Sequence, residues 1–186
     1  ALSPRLRATT TASLKGDTRS SSGMGLATGR DQALVMSPAA SADVTALLDE
    51  LQGQFDCVYI DTPPALNFFS RSALIASNSV LIPFDCDDFS RRALYTLLDN
   101  VQEIQADHNK DLAVSGIVVN QFQPRANLPQ KLVQELIDEG LPVLQPYLSS
   151  SVKIRESHQL AKPMIHMDAR HKLTQELITL HDLLGQ

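Results

Sequence analysis

The chain has 186 residues and a net charge of −5, with 43% hydrophobic and 20% charged residues. That suits one α/β domain with a sizeable core. It excludes a chain that binds polyanions as a whole, so any nucleic-acid contact must come from a local patch.

Residues 1–32 read as an irregular N-terminal segment. They are rich in Ser, Thr, Ala, Gly and Arg, begin at Ala1, and show no sustained period of 2 or 3.6. No continuous apolar region marks a secretory signal. An α/β domain is expected over 33–186. Residues 33–36 form a short apolar run ended by Ser37-Pro38. Ser41 is placed to cap a helix with Val44, Leu47, Leu48 and Leu51 on one face. Residues 55–60 predict a buried strand, 69–76 a short helix and 80–84 a second strand. Over 89–106 the spacing of Leu94, Leu97, Leu98, Val101 and Ile104 predicts an amphipathic helix. Residues 112–119 predict a strand. Residues 128–139 predict a helix with Leu132, Val133, Leu136 and Ile137 inward, ended by Gly140. A short strand over 141–144 and a helix over 169–184, burying Leu173, Leu177, Leu180 and Leu184, complete the chain. Cys57 and Cys86 lie in apolar runs and read as buried, reduced thiols. The five histidines lack metal-ligand spacing, and no apolar run approaches the ~20 residues of a membrane span.

Strands alternating with helices imply right-handed crossovers and a mostly parallel sheet with flanking helices. Ligands of such sheets bind at the C-terminal strand ends, so chemistry is expected just after Ile60, Ile82, Val119 and Leu144. Asp61 follows the first of these strands and leads into Thr62-Pro63-Pro64, where prolines stiffen the turn. An aspartate there either caps the turn or holds the water shell of Mg²⁺ beside phosphates. Asn120 follows a later strand. Its amide offers an acceptor and a donor that suit the edge of an adenine ring, or it stabilises a local turn.

Five segments then occur in a telling order. They are Asp56 to Pro64; residues 72–83, beginning Ser72-Ala73-Leu74 and ending Leu81-Ile82-Pro83; residues 114–122 with Gly116-Ile117 and Asn120; Arg125-Ala126-Asn127-Leu128; and Glu156 with Lys162-Pro163-Met164-Ile165. Together they resemble the ParA branch of the ParA/MinD-type (deviant Walker) P-loop partition ATPases, over roughly 33–186. The resemblance implies a P-loop NTPase-like fold, incomplete at the N-terminus, and ATP with Mg²⁺ as cofactors. It gives Asp61 the Mg²⁺ ion, held through water, and Asn120 the adenine, with residues 145–152 completing the base pocket. It aligns Arg125 and Lys153 with a DNA-binding face. Arg91, Arg92, Lys131 and Arg155 lie nearby in sequence, although exposed arginines are ordinarily solvated surface. The implied partners are a second copy in a homodimer, a ParB-like stimulating protein and non-specific DNA, with no membrane; the implied location is cytoplasmic, on the nucleoid.

The family's phosphate loop, K-G-G-x-G-K followed by Ser or Thr, has no match in these 186 residues, nor has its D-x-D-P-Q motif. Lys15-Gly16-Asp17-Thr18 shares only the beginning of the loop, and residues 16–26 look like a segment farther downstream. The expectation is therefore a chain that starts after the phosphate loop, lacks a central strand, and is a truncated partition ATPase with impaired nucleotide cycling. No catalytic residue is identified. The alternative is a non-enzymatic remnant or interaction module. A Rossmann-like oxidoreductase is unsupported, since no G-x-G-x-x-G follows a strand.

Overall fold

Strands and helices alternate through the computed structural model, which describes residues 7–12, 24–28, 32–36, 44–51, 54–63 and 67–185. In chain order the elements are β1 (Arg7–Ala12), β2 (Met24–Thr28), β3 (Gln32–Met36), α1 (Val44–Leu51), β4 (Cys57–Thr62), α2 (Phe68–Ala76) and β5 (Ser79–Asp85). There follow α3 (Asp88–Asp107), β6 (Ala113–Asn120), α4 (Asn127–Asp138), β7 (Val143–Leu144), α5 (Lys153–Gln159), α6 (Met164–Met167) and α7 (Lys172–Leu184). They fall into two units, Ala1–Pro83 with Arg92–Ser115 and Phe84–Arg91 with Gly116–Gln186. β5 and β6 each run through both.

In the first unit the strand order is β3-β2-β4-β1-β5-β6. β1 lies parallel to β4, Arg7 opposite Cys57 and Ala12 opposite Thr62, and parallel to β5 through Thr9 to Thr11. β2 runs antiparallel to β3 and β4, so a hairpin edges a sheet that is otherwise parallel. The expectation of an irregular segment over 1–32 therefore fails at β1 and β2, and the central place expected to be empty is filled by β1. The sequence R-A-T-T-T-A carries β-branched residues that favour a strand. It has no contrast between apolar and polar positions, so only pairing with β4 and β5 reveals it.

β4 shows why an alternating run becomes a strand. Val58 and Ile60 are fully buried and join Val44, Leu48 and Ala73 in one cluster, with Leu51 and Ala76 packed against it. Each such side chain contributes about 1.5–3 kcal/mol by leaving water. The strand continues two residues past its predicted end, with Asp61 exposed and Thr62 buried, so the alternation holds to the last residue. The Asn67 side chain accepts from the Ser70 N–H at 3.1 Å and caps the start of α2. At the other end the Asn109 amide donates to the carbonyls of Leu74, Ile75 and Ser77 at 3.3, 2.9 and 2.7 Å. These are acceptors a helix end cannot satisfy by itself. Along α3, Leu94, Leu97, Val101 and Ile104 are buried as the spacing predicts, while Leu98 is only half-buried. Ser41 and the side chain of Leu47 lie outside the described residues.

In the second unit the order is β5-β6-β7. Ile117, Val118 and Val119 are buried in succession, the pattern of a strand covered on both faces. β7 has two residues, which pair in parallel with Ile117 and Val118. In α4, Leu132, Val133 and Leu136 are buried. Ile137 is 40% exposed, against expectation, because it lies in the last turn before Gly140 (φ 76°) carries the chain away. Leu177, also expected inside, is 36% exposed. The last helix starts at Lys172, and α5 and α6, of seven and four residues, precede it; both are too short to show a period in sequence. Cys57 and Cys86, expected to be buried, are both half-buried. Among the described residues no helix is long and apolar enough to cross a membrane.

Gly116 has a specific reason to be glycine, since a Cβ there would collide with the Leu144 side chain of β7. Gly116→Ala is expected to lower stability by about 1–3 kcal/mol through overpacking, read from urea denaturation midpoints. Adding Leu144→Ala should remove most of that extra cost. A Gly116→Ala chain as stable as wild type would show that β7 does not press on β6 as described.

Candidate functional site

Parallel strands end together at their C-terminal side, and in the first unit Asp61 and Thr62 of β4 lie opposite Thr11 and Ala12 of β1. Asp61 faces solvent there and Thr62 is buried. The next carbonyl, of Pro63, accepts from the buried Ser70 hydroxyl at 3.4 Å, which ties the turn after β4 to α2. Among the described residues no group of three His, Cys, Asp or Glu side chains could cage a metal ion. One exposed carboxylate fits an ion that keeps most of its own waters, as Mg²⁺ does.

In the second unit, Asp85 ends β5 and Asn120 ends β6. Asn120 Nδ2 donates to Asp85 Oδ1 at 3.0 Å, and Gln121 Nε2 reaches Asp85 Oδ2 at 3.4 Å. Gln121 adopts φ 51°, a left-handed turn directly after the strand. Beyond it the Phe122 N–H donates to Leu148 O and the Leu148 N–H to Val119 O, both at 2.8 Å. The rings of Phe122 and Tyr147 meet edge to face at 4.8 Å. The Ser149 N–H and hydroxyl both donate to the Glu176 carboxylate at 2.7 Å. That carboxylate is only 11% exposed and has Lys172 at 3.5 Å. Residues 145–152, expected beside Asn120, are thus held by the end of β6 on one side and α7 on the other.

Asp85 was not legible as a site residue. The available signal was the one that singled out Asp61, an acid directly after an apolar parallel strand. Two acids, Asp85 and Asp87, flank Cys86 here. Burial, with the Asp85 and Asp87 carboxylates adding to it, pushes the Cys86 thiol up to about 11. Asp87 also accepts from the Ser90 N–H at 2.7 Å, which caps the first turn of α3.

Three of the six basic residues singled out above form ion pairs. Arg91 bonds Glu135 at 2.9 Å and Asp88 at 3.3 Å, and Lys131 lies 3.7 Å from Glu135. Lys153, the first residue of α5, lies 3.6 Å from Asp168. Arg125 is exposed in the turn before α4, and Arg92 and Arg155 are exposed on helices. Asp61 belongs to the first unit, and Asn120, Arg125 and Lys153 to the second.

Residues 21–114 match the family described as "AAA domain". The chain is 29% identical over 136 residues to the chromosome partitioning protein ParA of Myxococcus xanthus, covering 72% of this chain and 47% of that protein. It is 29% identical over 140 residues to the chromosome-partitioning ATPase Soj of Treponema pallidum, covering 71% and 55%. The chain spans about half the length of the curated relatives it matches. The septum site-determining protein MinD of Pyrococcus horikoshii, solved in complex with Mg-ADP, matches with a TM-score of 0.59. That match covers 76% of this chain and 55% of MinD at 18% identity, which speaks for the α/β fold alone.

The thiol chemistry offers a direct check on the β5 end. Thiolate is the reactive form, so a raised pKa lowers reactivity at neutral pH. In a Cys57→Ser background, alkylation of Cys86 by iodoacetamide at pH 8 is expected to be about a hundredfold slower than that of a small-molecule thiol. The rate should keep climbing with pH and reach half its maximum only near pH 11. A plateau below pH 9 would show that neither burial nor the flanking carboxylates act on this thiol.

Proposed function

The chain belongs to the AAA-domain family, in its ParA/MinD branch, and we propose that it serves ParA-type partitioning of a chromosome, plasmid or other cargo. In this reading it binds an adenine nucleotide with Mg²⁺ at the C-terminal ends of its parallel strands and turns it over poorly. The observation that carries the reading is Asp61, exposed at the end of β4 with β1 ending in register beside it. That is where ligands of parallel sheets are met.

Asp61 orients the water shell of the ion, whose charge, when bound, offsets that of the phosphates. Asn120 meets the adenine edge through its amide. These 186 residues contain neither K-G-G-x-G-K followed by Ser or Thr nor D-x-D-P-Q, so poor turnover is proposed for this stretch of chain taken by itself. Those groups would supply most of the charge stabilisation that phosphoryl transfer needs. Arg125 and Lys153 are assigned to non-specific DNA. For Lys153 this means exchanging Asp168 for a phosphate, a small cost, since exposed ion pairs contribute about 0–1 kcal/mol. A homodimer, a ParB-like stimulating partner and a place on the nucleoid in the cytoplasm complete the reading. A second reading, a module that takes part in partition without cycling nucleotide, draws on the same missing motifs.

Two measurements test these assignments. In calorimetric titrations ADP should bind the 186-residue chain more weakly in EDTA than in Mg²⁺, and Asp61→Ala should abolish the difference, with phosphate release from ATP at background. No ADP binding at millimolar concentration would favour the second reading. Turnover that is brisk and lost in Asp61→Ala would overturn the claim of poor cycling.

Duplex DNA binding should fall steeply as salt rises, because phosphate contacts release counterions. Replacing Arg125 and Lys153 together by Ala should flatten the slope of log affinity against log salt by about 2, and equally for all sequences. An unchanged slope would place the DNA contact elsewhere.

A further inference from the structure

The carboxylate of Asp85 is an acceptor only, whereas an amide has one end of each kind. With Asn120 Nδ2 at 3.0 Å from Asp85 Oδ1, the orientation of the Asn120 amide is settled by chemistry. The reverse orientation would set Oδ1 against a negative carboxylate. Gln121 Nε2, at 3.4 Å from the other carboxylate oxygen, supports Asp85 from a second side. One Nδ2 hydrogen is thereby committed to Asp85. Oδ1 and the second Nδ2 hydrogen form the amide's remaining edge, an acceptor beside a donor.

We propose that Asp85 is a positioning residue that makes Asn120 select a 6-aminopurine over a 6-oxopurine, an inference that rests on Asn120 being the base contact. The acceptor and donor of Asn120 match an exocyclic amine flanked by a ring-nitrogen acceptor, the pattern of adenine. A 6-oxopurine presents a carbonyl beside a ring N–H, so it needs the amide turned over. Turning it over breaks the bond to Asp85 and replaces it with repulsion between oxygens. Base choice therefore lies one residue behind the residue that touches the base, at the end of the neighbouring strand.

The test compares ADP with inosine diphosphate, which carries the same phosphates and ribose, so that metal and phosphate contacts cancel in the ratio. Wild-type chain is expected to favour ADP by about tenfold in calorimetric competition. Asp85→Asn can accept or donate, so it tolerates either orientation of Asn120, and the ratio should fall towards one, chiefly through tighter inosine diphosphate binding. Asp85→Glu keeps an acceptor-only neighbour and should retain a preference for ADP. A merely structural role for Asp85 would weaken both nucleotides in parallel and leave the ratio alone; that outcome would overturn the inference. Binding of ADP unaffected by Asn120→Ala, or no binding by the wild-type chain, would instead remove the base-contact reading, and the inference with it.

Discussion

β1 is hydrogen-bonded on both sides, along its whole length to β4 and through Thr9 to Thr11 to β5. The rest of the first unit takes its arrangement from that register. A strand shifted by one residue sends every side chain to the opposite face. With β4 in its observed register, Val58 and Ile60 face the cluster under α1 and α2, and Asp61 faces out at the strand's end. The same alternation that builds the core therefore delivers a carboxylate to the edge where parallel sheets receive ligands. No separate device is needed to hold it there.

The second unit adds polar constraint at its strand ends to the apolar packing of β6 and α4. Asp85 accepts from two side-chain amides and Glu176 from both donors of Ser149. Charged acceptors make stronger hydrogen bonds than neutral ones, and leaving a buried one unmet is costly. These carboxylates pin the last residue of β6, Asn120, and two residues of loops, Gln121 and Ser149. The cost appears at Cys86, whose thiolate is disfavoured by burial and by Asp85 and Asp87 on either side. One carboxylate thus orients an amide and quiets a thiol.

Surface charge is arranged in local pairs. Glu135 receives both Arg91 and Lys131, and Asp168 receives Lys153. The chain's net charge of −5 makes its far field weakly negative.

What could be read from sequence were the features carried by contrast within a short window. Long amphipathic stripes such as that of α3, the buried runs of β4 to β6, the stop at Gly140, and an acid or amide closing an apolar strand all announce themselves locally, because burial imposes a period on neighbouring residues. The ordered motifs from Asp56 to Ile165 pointed to the family on the same basis. Tertiary structure alone decided the rest. β1 is a strand because β4 and β5, distant in sequence, hold it, and β2 is held between its hairpin partner β3 and distant β4. α5 and α6 are shorter than the window any period requires. Asp85 meets Asn120, 35 residues away in sequence, only because β5 and β6 end side by side. Hydrogen bonds between strand ends depend on which strands are neighbours and in what register. That information resides in the packing of the whole sheet and in no single segment of the chain.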